Sequence, residues 1–188
     1  GIGAFSGCRD LKRVYVSDLS SWCGIDFMDF VANPLSYAGE LFLNGLPVRN
    51  LVIPSDITTV KDYLFINCPF IESVAIHKDV TDIAHSAFMG CNSLKRVEFD
   101  TPSVAPWFSG NLSVNEILLG KNVTDVADGA FGGCLSLKRV EFNCPSVAPW
   151  FNGNTSLAEV SFGSGVTNVD ADALKGCMAL KKVEIDTD

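Results

Sequence analysis

Seven cysteines and two histidines are the residues of this 188-residue chain whose types could carry redox, metal or acid–base chemistry. An odd number of thiols opens three readings: disulfides, a metal site, or small apolar side chains in a core. A zinc site needs convergent ligands at characteristic spacings, and no such pattern is present in the sequence. His77 and His85 have no nucleophile motif beside them. The G-x-S-x-G, H-E-x-x-H and Walker sequences are missing, and Gly132-Gly133 reads as a turn, not as a phosphate loop. No enzyme, cofactor or resident metal is therefore expected. Asn111, Asn122 and Asn154 satisfy N-x-S/T, which matters only in a glycosylating host.

Composition narrows the classes further. The chain is 47% hydrophobic, too apolar for a disordered segment. A net charge of −8 argues against nucleic acid as a partner, since phosphate binding needs clustered Lys and Arg. Apolar runs are only a few residues long, so no transmembrane helix and no membrane insertion are expected. The chain opens on Gly1 in mid-pattern, which reads as a processed or trimmed chain whose targeting signal has been removed.

The elements that position these side chains come from an internal repeat. His77 to Leu119 matches Gly120 to Phe162 at an offset of 43 residues. Leu94-Lys95-Arg96-Val97-Glu98-Phe99 recurs unchanged from Leu137 to Phe142, and the heptapeptide Pro102 to Phe108 recurs from Pro145 to Phe151. Each 43-residue unit is itself two coils, since Val74, Val97, Ile117, Val140, Val160 and Val183 are spaced by 23 and 20 residues in alternation. A long coil reads V-T-x-I-x-x-x-A-F-x-x-C-x-x-L-x-x-V-x-F; a short coil replaces its middle with P-S-V-A-P-W-F-x-G-N.

Alternation at the end of the coil predicts a short strand, with Val97 and Phe99 inward and Arg96 and Glu98 outward. The V-T-x-I segment predicts a second short extended piece on the opposite wall. The A-F-x-x-C segment has helical spacing and predicts one helical turn. One coil cannot bury its own apolar side, but stacked coils share a continuous core. Residues 17–53 break the pattern: Ser17 is a candidate helix N-cap, Asn33-Pro34 a turn into a helical turn, and Asn44-Gly45 the type I′ turn of a hairpin with Pro47 on an edge. The expected organisation is one domain over 1–188: a partial repeat at 1–16, the irregular insertion with its hairpin at 17–53, and regular repeats at 54–188.

The register then sorts the candidate sites. Cys8, Cys68, Cys91, Cys134 and Cys177 share one slot, so a column of buried free thiols is expected. Cys91, Cys134 and Cys177 are two coils apart, about 10 Å, beyond the roughly 7 Å Cα separation a disulfide tolerates. Cys68 and Cys91 are one coil apart but point the same way. Cys23 and Cys144 stand outside the column. One outward row reads Ser73, Arg96, Glu116, Arg139, Glu159 and Lys182, alternating in sign; the next reads Ala75, Glu98, Leu118, Glu141, Ser161 and Glu184 and is net acidic. These rows are either a ladder of mutual neutralisation, worth about 0.2–1 kcal/mol per exposed pair, or a recognition face. The candidate face comprises Arg96, Glu98, Glu116, Arg139, Glu141, Glu159, Lys182 and Glu184. Trp107 and Trp150 either fill a corner of the core or form an exposed aromatic platform for a glycan or protein.

The long coil resembles the BspA-like leucine-rich repeats of bacterial surface proteins. The stretch Asp18-Leu19, Trp22-Cys23, Ile25, Phe27, Asn33-Pro34-Leu35, Tyr37-Ala38, Leu41, Leu43-Asn44-Gly45 and Leu51-Val52-Ile53-Pro54 is similar to a unit that precedes the repeats in that family. The short P-S-V-A-P-W-F coils and Leu174, where a Phe is expected, depart from the family pattern. The resemblance implies an α/β fold, a right-handed leucine-rich-repeat solenoid of alternating 23- and 20-residue coils with short parallel strands and few helical turns. It also implies a secreted or cell-surface protein, non-enzymatic, adhering to a host or bacterial partner: a protein, or an extracellular-matrix or glycan macromolecule. The alternative is a structural spacer presenting another domain of a longer surface protein. The partner, the binding face and the oligomeric state are left open.

Overall fold

The computed structural model describes residues 1–131 and 133–186. It divides into two compact units, Gly1–Val74 with Asp79–Leu94, and Ala75–Lys78 with the chain from Lys95 on.

The second unit is built as the repeat dictates. Strands Arg96–Phe99, Glu116–Leu119, Arg139–Phe142, Glu159–Phe162 and Lys182–Ile185 stack in that order, every pair parallel. Glu116 is the register partner of both Arg96 and Arg139, so the alternation of 20 and 23 residues is the step from one strand to the next. Parallel strands need a crossover, and here the remainder of each coil supplies it. On the opposite wall, Ser103–Val104 pairs with Asp125–Val126 and Ser146–Val147 with Asn168–Val169, again in parallel. Asp125–Val126 and Asn168–Val169 are the V-T-x-I pieces expected from the sequence, and their partners Ser103–Val104 and Ser146–Val147 come from the P-S-V of the short coils.

Between the two walls lies the core. Val97, Ile117, Val140 and Val160 form one buried column, and Phe99, Leu119, Phe142 and Phe162 the next. The aromatic rings continue it: Phe131 stacks on Phe151 at 5.0 Å and Phe142 on Phe162 at 5.3 Å between centroids. Val183 and Ile185, on the corresponding positions of the last strand, are exposed.

The A-F-x-x-C segments do not form the helical turn that their spacing predicts. They are hydrogen-bonded turns, as in Ala130 N–H to Ala127 O and Cys134 N–H to Phe131 O. The reason is a left-handed glycine one position before the thiol: Gly90, Gly133 and Gly176 have φ of 81°, 75° and 75°. A right-handed turn cannot pass through that conformation. A side chain is crowded there as well, because a Cβ on Gly133 would lie 3.2 Å from the Cα of Gly110 and push that backbone aside by a few tenths of an ångström. Gly132, read with Gly133 as a turn, lies outside the described residues.

The first unit holds the irregular segment. Helix Leu19–Gly24 is capped by Asp18, whose carboxylate accepts from the N–H groups of Ser20 and Ser21, and not by Ser17. A carboxylate one residue later reaches both orphan donors. Asn33-Pro34 leads into helix Leu35–Ala38, closed by Gly39 at φ 68°. Strand Arg13–Val16 pairs in parallel with Glu40–Leu43, which turns back on Leu46–Pro47 through Asn44 and Gly45 at φ 50° and 82°. Two positive φ values are the type I′ signature, and Pro47 sits on the outer strand as expected.

This segment is fastened to the first regular coil by side chains. Asn33 is fully buried; its amide nitrogen donates to the carbonyls of Tyr63 and Leu64, and its oxygen accepts from Leu35 N–H. The indole N–H of Trp22 donates to Leu64 O at 3.2 Å. Backbone carbonyls at the edge of a coil thus find donors that the irregular segment supplies.

Candidate functional site

Six of the seven thiols are buried and all seven are free. Cys8 shares the repeat slot but is exposed, which corrects the expectation that all five column members are buried. Residues 1–10 are exposed almost throughout, so nothing covers its side chain. The other members do more than fill space. Cys91 Sγ lies 3.1 Å from Phe65 O, Cys134 Sγ 3.2 Å from Phe108 O, and Cys177 Sγ 3.2 Å from Phe151 O. Each thiol donates to a carbonyl of the coil before it. Burial pushes Cys91 up to about 12. Burial, with Asp56 and Asp18 adding to it, pushes Cys23 up to about 12 as well. Burial also raises Cys68, Cys134, Cys144 and Cys177. Such thiols stay protonated and make poor nucleophiles and poor metal ligands. Among the described residues, no group of three or more His, Cys, Asp and Glu is arranged to hold a metal ion. No helix among them is long and apolar enough to cross a membrane.

The two outward rows fall where the alternation puts them, on the solvent side of the five-strand sheet of the second unit. Arg96 is central to the first: its guanidinium bonds Glu98 at 2.8 Å along its own strand and Glu116 on the neighbouring strand. Glu116 also lies 3.7 Å from Arg139, so one carboxylate bridges two arginines. Partial burial works against the charged form of Arg96, but the carboxylates of Glu98, Glu116 and Glu141 outweigh it and raise its pKa. Lys182 holds Glu184 at 2.7 Å, and that contact lowers the carboxylate's pKa. Glu141 accepts from Asn143 at 3.0 Å. Glu159 is the register partner of Arg139 and Lys182.

Trp107 and Trp150 are half-buried, while the Phe that follows each of them, Phe108 and Phe151, takes the core slot. Trp107 stacks on Phe99 at 6.3 Å. Trp150 lines a shallow groove of about 300 Å³ with Leu135 and Thr155. The sequence reading left out the residues around Trp150. The signal was available: the position after the repeated Cys or Asn carries Leu112, Leu135 and Met178, all strongly exposed.

With coils, register and side-chain ladders in place, the comparison with known families is decisive. The model of the BspA type leucine rich repeat region matches residues 22–105 and 105–188, in six copies. The chain belongs to the BspA-type leucine-rich-repeat family.

The fold is that family's solenoid of parallel strands. It is similar to the crystal structure of a leucine-rich repeat protein from Bacteroides ovatus, at 26% identity and a TM-score of 0.59, over 96% of this chain and 50% of that one. The chain thus spans half the length of that solved protein. A leucine rich cell surface protein from Faecalibacterium prausnitzii matches at 23% identity and a TM-score of 0.43, over 74% of this chain and 32% of that one. A leucine-rich repeat protein from Eubacterium ventriosum matches at 16% identity and 0.37, over 72% and 54%. No curated protein matches this chain. BspA-type repeats of this kind point to protein interaction as the general role.

Proposed function

We propose that this chain is a non-enzymatic interaction module, secreted or displayed at a bacterial cell surface, that binds a host or bacterial macromolecule through the outward face of its strands. The partner is a protein, or an extracellular-matrix or glycan macromolecule. The observation that carries the reading is the double row of half-exposed side chains on the second unit, with Arg96, Glu116, Arg139, Glu159 and Lys182 in one row and Glu98, Glu141 and Glu184 in the next. Rigid strands present these groups at fixed spacing, which favours a large, flat partner over a small ligand. The net acidity of the second row favours a basic patch on that partner.

Immobilised chain exposed to purified extracellular-matrix proteins and to bacterial surface glycans tests the proposal. Saturable binding that is lost in the double charge inversion Arg139→Glu with Glu141→Lys supports it; absence of binding across both panels overturns it.

A structural spacer is the second reading, and the ion pairs favour it: Arg96, Glu98 and Glu116 already satisfy one another within the face. If the inverted variant binds every partner as the parent chain does, binding runs through another face; if neither panel yields a partner, the face is a neutralised ladder and the spacer reading holds.

A further inference from the structure

The two short coils share an identical heptapeptide, Pro102 to Phe108 and Pro145 to Phe151, yet their tryptophans meet different surroundings. Trp107 has its ring on Phe99, 6.3 Å between centroids with the planes 27° apart. Trp150 has no such ring partner among the described residues, and nothing there accepts from its indole N–H. The N–H edge of half-buried Trp150 is open to solvent, whereas a fully buried Trp N–H finds a protein partner. Trp22 in the first unit shows that behaviour, with its N–H on Leu64 O.

The groove beside Trp150 has a particular chemistry. It is formed between the turn at Gly133–Leu135 and the turn at Phe151–Ser156. Its volume, about 300 Å³, stands at the lower end of ligand sites. In a chain with 14 basic and 22 acidic residues, no Asp, Glu, Lys or Arg lines it among the described residues. Its side chains offer an indole, the exposed Leu135, the amide of Asn152 and the hydroxyl of Thr155, while the Ser156 hydroxyl donates to Asn154 and is left as an acceptor. Asn154 is already engaged, accepting from Ser156 and Leu157 N–H, and it fixes the turn that holds Thr155 outward.

From this combination we infer that the Trp150 groove is a binding site for a neutral saccharide. A pyranose ring has an apolar C–H face that the indole and Leu135 desolvate, and hydroxyls at its rim that pair with amide and hydroxyl groups. A charged peptide or a phosphorylated ligand finds no counter-charge here, and a fully apolar ligand would strand the polar lining without partners. The inference rests on the reading of the chain as an interaction module but concerns a different surface from the charged strand face.

Titration of the 188-residue chain with maltohexaose, cellohexaose, mannohexaose and N-acetylchitohexaose, followed by calorimetry and tryptophan fluorescence, tests it. At least one hexasaccharide is expected to bind with a Kd of about 1 mM or tighter. Trp150→Ala is expected to weaken that binding by about tenfold or more, and Trp107→Ala by less than about twofold. Thr155→Arg changes an exposed position without touching the core, and it is expected to block the groove even if Trp150→Ala compromises folding. The inference is overturned if no hexasaccharide binds, or if Thr155→Arg binds as tightly as the parent chain. Sugar failure with strand-face capture intact removes this site alone; the reverse pattern removes the strand-face reading alone. Capture of a protein that Thr155→Arg abolishes, with no sugar bound, replaces the saccharide by a peptide and also overturns it.

Discussion

The thiol of Cys134 lies 3.2 Å from the carbonyl oxygen of Phe108, one coil earlier. The same relationship joins Cys91 to Phe65 and Cys177 to Phe151. A small apolar side chain would fill the slot equally well; the sulfur adds a second, weak donor to a carbonyl that already accepts from Asn111 N–H. Cys134→Val keeps most of the volume and removes the donor. It is expected to lower stability by about 0.5–1 kcal/mol, the net worth of one hydrogen bond to a carbonyl that keeps its backbone partner, whereas Cys134→Ser, which keeps a donor, is expected to cost less than Cys134→Val. Urea denaturation of the three chains checks the order.

The thiols also divide by exposure. At pH 8, a thiol-specific alkylating reagent is expected to label Cys8 rapidly and to leave the six buried cysteines intact. In denaturant all seven should react. Peptide mass spectrometry of both reactions checks this, and rapid labelling of Cys68 or Cys91 in the native chain would contradict the column.

Alkaline pH should unfold the chain through the same groups. An unfolded thiol loses its proton near pH 9, while Cys91 in the folded chain holds its proton to about 12. Between those values the folded state carries more protons, so stability is fully present below pH 9 and falls as pH rises. The slope from Cys91 alone is about 1.4 kcal/mol per pH unit. Denaturation midpoints at pH 8, 9, 10 and 11, compared between the parent chain and Cys91→Ala, isolate that contribution: the variant's curve should fall less steeply.

Asn33 holds the irregular segment against the first regular coil. Asn33→Leu removes the donors to Tyr63 and Leu64 and the acceptor for Leu35 N–H, all inside the first unit. Tyr63 O keeps Ile66 N–H and Leu64 O keeps the Trp22 indole, so Leu35 N–H is the group left stranded, and a loss of about 1–3 kcal/mol is expected. Hydrogen exchange should then rise across residues 17–53, measured by mass spectrometry.

Glu116 lies between two arginines, Arg96 and Arg139. Glu116→Lys sets three cations side by side and is expected to destabilise the chain by about 1–2 kcal/mol at low salt. Raising the salt concentration should recover part of that loss, because exposed charges are screened. Thermal melts at two ionic strengths check it.

Much of this was legible in the sequence because a solenoid converts sequence period directly into neighbours. Val97, Ile117 and Val140 are neighbours because their spacing is one coil, and the charge row from Arg96 to Lys182 follows from the same arithmetic. Two features escaped for physical reasons. The A-F-x-x-C segment carries helical spacing of apolar residues, but Gly90, Gly133 and Gly176 take a left-handed conformation that spacing does not encode. Cys8 fits the slot by type, but burial depends on what covers a side chain, and residues 1–10 have little over them. The difference between Trp107 and Trp150 was also hidden, since their heptapeptides are identical and only the rings around them differ.

Carboxyl footprinting of the bound and free chain tests the functional account most directly. The chain is labelled with a carbodiimide and an amine, alone and in complex with whichever macromolecule it captures. The account predicts that Glu98, Glu116, Glu141, Glu159 and Glu184 lose reactivity on binding, while Asp10, Asp26 and Asp62 of the first unit keep theirs. Unchanged labelling of all five strand-face glutamates in a saturated complex would contradict it.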